Sequence, residues 1–134
     1  MAKHDLLTPE LREIFAKYPL YSQDGKGKRA KVIARYFLPH TAWSWYVLEA
    51  STEEVRPMLP DGSAGAPTFE LYGYTVNGST AEAGYFFLSE LEGLEISAPV
   101  INQDGHKLGR IPLWVEWDKE YSGTVADVLK NSKR

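Results

Sequence analysis

Two pairs of strand-like runs, each pair joined by a segment short enough for a simple reversal, restrict what this chain can fold into more than any other feature. Lys31 to Phe37 and Thr41 to Leu48 are rich in β-branched and aromatic residues and are separated by little more than Pro39-His40. They predict an antiparallel hairpin. Phe69 to Val76 and Ala81 to Leu88 flank Asn77-Gly78, the dipeptide that most readily supplies positive φ at both central positions of a two-residue turn. Within Thr41 to Leu48, Trp43, Trp45 and Val47 share one face and Tyr46 and Leu48 the other. A strand that is apolar on both sides reads as central and covered on both faces.

Helical signals flank these runs. Thr8 can cap, and Pro9 suits the first position of a helix that repeats Leu11, Ile14, Phe15 and Tyr18 before Pro19 stops it. Ser22 to Arg29, with Asp24-Gly25-Lys26-Gly27-Lys28, has the polarity and glycine content of a mobile loop. Ser51 and Glu54 have capping-box spacing and predict a brief helical turn ended by Pro57 and Pro60, with a loop onward to Pro67. Ser89-Glu90-Leu91-Glu92 repeats that spacing and predicts a short helix before Gly93 and Pro99. Asp104-Gly105 marks a turn, Ile111 to Trp117 reads as a fifth strand, and Val125, Val128 and Leu129 form an apolar face on a C-terminal helix. The expected fold class is α+β, with residues 1–134 as a single domain. An antiparallel sheet of about five strands carries an N-terminal helix, a short helix after the second hairpin and a C-terminal helix.

A domain of 134 residues that is 43% hydrophobic buries roughly two-thirds of its unfolded surface and needs no metal or staple to hold its core. The chain has no cysteine, which excludes disulfides, thiolate zinc sites, iron–sulfur clusters and cysteine nucleophiles and suits a reducing compartment. After Lys3 and His4, Pro9 and Glu10 interrupt any signal-peptide apolar region, and the most hydrophobic stretch, Thr41 to Ala50, is far shorter than a membrane span. The expectation is therefore a cytoplasmic protein with no membrane partner. Asn77-Gly78-Ser79 matches a glycosylation acceptor and reads better as a turn.

No catalytic motif emerges. His4, His40 and His106 are widely separated and belong to no paired metal-binding motif, so they read as loop histidines. Asp24-Gly25, Asp61-Gly62 and Asp104-Gly105 lack the alternating oxygen ligands of a calcium loop. Gly27-Lys28 lacks the earlier glycine, the following hydroxyl and the preceding strand of a phosphate-binding loop. Ser44, Ser89 and Ser122 stand outside any nucleophile elbow. Neither a cofactor nor a metal is expected. Glu49, Glu70, Glu82, Glu90 and Glu92 leave open a carboxylate-dependent enzyme, should they converge at strand ends.

Charge is unevenly distributed. Residues 1–36 hold eight basic and four acidic side chains, residues 37–99 one and nine, and residues 100–134 six and five. The preferred reading is a non-enzymatic protein that binds another protein through this acidic middle. Glu53, Glu54, Asp61, Glu70, Glu82, Glu90 and Glu92 would supply long-range attraction, and Tyr72 or Tyr74 would anchor. The first alternative is single-stranded nucleic-acid binding, with Lys26, Lys28, Arg29, Lys31 and Arg35 on phosphates beside stacking aromatics. Against both stands internal neutralisation of the two charged segments, and against the stacking role stands burial of the aromatic rings in the core.

Five segments together resemble a family. Leu6 to Leu11, Lys31 to Phe37, Thr41 to Glu49, Glu70 to Tyr74 and Gly84 to Glu92 are similar, in order and spacing, to the bacterial and phage-borne domain-of-unknown-function family 2958. The likeness spans most of the chain up to Glu92 and weakens after Pro99. The chain departs from the family in the long Glu53 to Pro67 segment and at Ala83. The resemblance implies an accessory protein of plasmids, integrative elements or phages, a setting compatible with modulating host defence or a nucleic-acid-handling protein. It carries over no activity and no catalytic residue.

Overall fold

The computed structural model describes residues 6–132, with side chains as far as Lys130. In chain order the elements are α1 (Pro9–Lys17), a single 3-10 turn (Gly27–Arg29), β1 (Lys31–Val32), β2 (Ala34–Phe37), β3 (Trp43–Ala50), β4 (Glu70–Asn77) and β5 (Thr80–Phe87). They continue with α2 (Leu88–Glu92), β6 (Glu95–Ile101), β7 (Lys107–Trp114), β8 (Glu116–Trp117), β9 (Gly123–Thr124) and α3 (Val125–Ser132). The fold is α+β. Five antiparallel strands in the order β5-β4-β3-β2-β8 form the main sheet, and β1-β9 and β6-β7 make two-stranded sheets beside it. No helix among the described residues is long and apolar enough to cross a membrane.

The helix signals act locally as read. The Thr8 hydroxyl accepts from the Leu11 N–H at 3.1 Å, Pro9 opens α1, and Leu11 and Phe15 are buried. β3 is the middle strand and is covered on both faces. On one side Trp45, Val47, Ala50 and Leu71 pack with Leu11, Phe15, Leu88 and Leu91 in the larger core. On the other, Leu48 and Val76 pack with Ala30, Val32, Val125 and Val128 in a smaller one. The Val125 N–H donates to the Ala30 carbonyl at 2.9 Å, which joins the start of α3 to the residue between the 3-10 turn and β1.

Four local expectations change. The second hairpin turns at Gly78-Ser79, with Asn77 paired to Thr80 and Gly78 at φ 64°, as in a turn that needs a positive φ only at its first central residue. Ser51 starts no helix. Its backbone N–H bonds the Glu70 carbonyl at 2.8 Å and its hydroxyl accepts from the Glu70 N–H at 3.1 Å, so the chain continues the sheet. Ser89 lies inside α2, where its N–H donates to the Thr68 hydroxyl. The stretch expected as a fifth strand divides: β7 pairs with β6, which carries Pro99 and gave no strand signal, and the fifth strand of the main sheet is the two-residue β8. Proline is tolerated in β6 because a two-stranded ribbon has an open edge on each strand.

Candidate functional site

A β-bulge creates the site. Pairing between β3 and β4 runs Val47↔Gly73 and then Glu49↔Tyr72, so Leu48 is the extra residue. Strict alternation would put Glu49 beside Val47 in the larger core; the bulge places Leu48 and Glu49 on one face, with Tyr72 and Tyr74. The bulged stretch approaches β4 so closely that a Cβ on Gly73 would overlap the Tyr46 carbonyl oxygen.

Glu49 is only 2% exposed, and both its carboxylate oxygens are engaged. Oε1 accepts from the Tyr21 N–H at 2.7 Å and Oε2 from the Gln23 N–H at 2.9 Å. Gln23, 4% exposed, uses its whole amide: Nε2 donates to the Lys31 and Leu48 carbonyls at 2.8 Å each, and Oε1 accepts from the Lys31 N–H at 2.7 Å. The side chain thus serves as one residue of strand between β1 and β3. In place of a loose loop, residues 19–29 form successive turns clamped to the sheet at two buried points. Tyr21 takes a left-handed φ of 74° there.

The clamped loop, the second face of the sheet and α3 enclose a cleft of about 390 Å³. Tyr72, Tyr74 and Leu48 line it from the sheet, Val125 and Leu129 from α3, and Lys28 from the 3-10 turn. The Tyr85 ring tilts against Tyr72 with centroids 4.9 Å apart. A hydrogen bond with the Tyr21 hydroxyl, then burial and the neighbouring Glu49 charge, push the Tyr85 phenol up to about 12 from an ordinary 10.0. Proton binding is tighter in the folded state, so this contribution to stability is intact below pH 10 and is lost as pH rises towards 12. Ultraviolet titration should place the Tyr85 phenol near 12, and Tyr21→Phe should return it towards the ordinary value.

The acidic residues are not gathered into one face. Glu70 shares the face of Tyr72 and Tyr74, whereas Glu82, opposite Thr75, lies on the other side of the sheet. Glu53 and Glu54 are exposed before the Val55↔Thr68 bridge, and Glu54 meets Arg12 at 3.6 Å. Asp61 sits in an outlying turn, where hydrogen bonds from the Ser63 hydroxyl and N–H lower its pKa. Glu90 accepts from the Phe87 N–H and Glu92 from the Leu6 N–H. Of the five carboxylates weighed for catalysis, Glu49 and Glu70 share a face, and the oxygens of Glu49 are already committed to backbone N–H groups. Among the described residues no three His, Asp or Glu side chains form a metal-binding group. His40 and His106 stand in turns, and His4 lies outside the described residues.

The basic segment divides in two. Lys26, Lys28 and Arg29 are exposed, Lys28 alone of the three lining the cleft, and exposed Lys31 on β1 holds its ammonium 6.0 Å from the Tyr18 ring centroid. Arg35 is committed elsewhere. It bonds Asp118 Oδ2 at 2.6 Å, Ser44 Oγ at 2.8 Å and the Tyr46 hydroxyl at 3.3 Å. Burial works against its charge, but Tyr46 and Asp118 outweigh that effect and raise its pKa. Sequence reasoning missed the clamp. Its only signals were an acid in an otherwise apolar strand and a glutamine in a glycine-rich loop, and neither has meaning until the bulge brings them together. Compared with family models, curated proteins and solved structures, the chain matches none.

Proposed function

We propose that this chain is a cytoplasmic, non-enzymatic binding protein that engages a segment of another polypeptide in the tyrosine-lined cleft. The observation that carries this reading is the make-up of the cleft: two half-buried tyrosines and an apolar wall, with Lys28 at its mouth. Tyrosine supplies a large, rigid, amphipathic contact and is enriched where binding energy concentrates. The ligand segment carries an aromatic or aliphatic side chain for the cleft and an acidic residue for Lys28. Of the seven acids weighed for an acidic face, Glu70 lies on the cleft's side of the sheet and Glu82 on the other, which favours the cleft over an acidic face as the point of contact. A second reading, single-stranded nucleic acid, has one observation in its favour: Lys28 lines the same cleft as two tyrosines on which bases could stack.

Panning a library of random peptides separates these readings. Selected peptides are expected to pair an apolar or aromatic residue with an acidic one, and to lose roughly tenfold or more in affinity, about 1.4 kcal/mol, on Tyr74→Ala. Peptides indifferent to Tyr72→Ala and Tyr74→Ala would contradict the assignment. Tight binding of labelled oligothymidine, with a steep salt dependence abolished by Lys28→Glu, would favour the nucleic-acid reading instead.

A further inference from the structure

We propose that β5 is a self-pairing edge, through which two copies of this chain join their main sheets across a two-fold axis. β5 ends the five-strand order, and among the described residues none of the backbone hydrogen bonds beyond the strand ladders links residues 80–86 to another segment. Its sequence, Thr80-Ala81-Glu82-Ala83-Gly84-Tyr85-Phe86-Phe87, has no proline, no lysine and a single acid. Exposed edges of this length normally carry such guards, because unpaired N–H and C=O groups recruit another strand.

The direction of those groups follows from one bond. The Leu88 N–H donates to the Phe69 carbonyl at 2.9 Å, across the β4–β5 pairing. Bonding direction alternates along an antiparallel strand, so Phe86, Gly84 and Glu82 face β4. Ala81, Ala83 and Tyr85 therefore turn their N–H and C=O groups outward. An odd number of outward residues centred on Ala83 permits two-fold antiparallel pairing: Ala83 meets Ala83 of the second copy, and Ala81 meets Tyr85 in both directions. These contacts can exchange six backbone hydrogen bonds.

Side chains fit the same register. Tyr85 lies opposite a small Ala81, and each Glu82 falls opposite Gly84, so no like charges are directly apposed. A Cβ on Gly84 would meet nothing within 4 Å, which leaves room for the opposing glutamate. The register thus alternates large against small in both directions, which argues for a second copy over an unrelated strand.

Sedimentation equilibrium of the full chain from micromolar to millimolar concentration tests this, with thermal melts as a check on folding. The expected result is a reversible monomer–dimer equilibrium. Ala83→Lys places two cations face to face at the axis, and Ala83→Pro removes an outward N–H from each copy. Each should weaken dimerisation roughly tenfold or more, and Ala83→Lys should do so without lowering the melting temperature measured at concentrations where both chains are monomeric. A chain that stays monomeric throughout the range overturns the proposal. So does a dimer that survives Ala83→Lys, or an edge that binds only strands of other proteins.

Discussion

Gly73→Ala is expected to destabilise the domain by about 3 kcal/mol or more, lowering its melting temperature by roughly 10 °C. The added methyl has no free volume: it overlaps the Tyr46 carbonyl oxygen and presses on the Val47 Cα, both backbone atoms of the central strand. A flexible side chain could swing away, but β3 is held by β2 on one edge and β4 on the other. The main sheet would have to spread at the bulge that places Glu49, and cleft binding should fall along with stability. Gly84, directly opposite Gly73 on β5, is the matched control. A Cβ there meets nothing, so Gly84→Ala should be neutral or stabilising by up to about 1 kcal/mol, because alanine loses less backbone entropy on folding. Chemical denaturation of the two variants gives the comparison. Equal losses would mean that the close approach of β4 to the bulge is wrong.

Gln23→Ala is the second large effect. It leaves the Lys31 N–H and the Lys31 and Leu48 carbonyls without their partner, at a site where a lost hydrogen bond costs about 1–3 kcal/mol per stranded group. A total of about 3 kcal/mol is expected, since water entering the gap recovers part of the loss. Glu49→Ala strands the Tyr21 and Gln23 N–H groups and should act on the same turns. The two substitutions hold one loop, so the double variant should lose less than the sum of the singles, by about 1 kcal/mol. Amide hydrogen exchange in residues 20–29 should accelerate in each single variant while the middle of β3 stays protected. Additive losses with unchanged exchange would show that the two side chains do not form one clamp.

Sequence made the main sheet legible where apolar and aromatic residues repeat at strand spacing, as in Trp43 to Leu48 and Glu70 to Val76, because burial on both faces leaves a dense pattern. It made α1 legible because Thr8 and Pro9 act within their own turn. It failed where partners are distant in sequence. The serine at position 51 resembles a cap and in fact extends a strand, since the Glu70 backbone claims its hydroxyl. β6 was hidden because its exposed positions and Pro99 carry no alternation that burial would enforce. The same limit applies to the site. Tyr72, Tyr74 and Lys28 could each be named from composition, but their meeting in one cleft depends on a one-residue bulge and on Gln23, 25 residues from the carbonyl of Leu48 that it bonds. Arg35, named with the nucleic-acid contacts, is bound to Asp118, 83 residues along the chain.

The central claim is that ligand enters the cleft beneath the clamped loop. Nuclear magnetic resonance of the isotope-labelled chain, titrated with the tightest peptide from panning, tests it most directly. The account predicts saturable amide shifts concentrated at Gly25 to Ala30, Leu48 and Glu49, Tyr72 to Tyr74, and Val125 to Leu129, all lost in Tyr74→Ala. Shifts confined to the apolar groove of Leu38, Trp43, Trp45, Leu94 and Ile96, with the cleft unmoved, would contradict it.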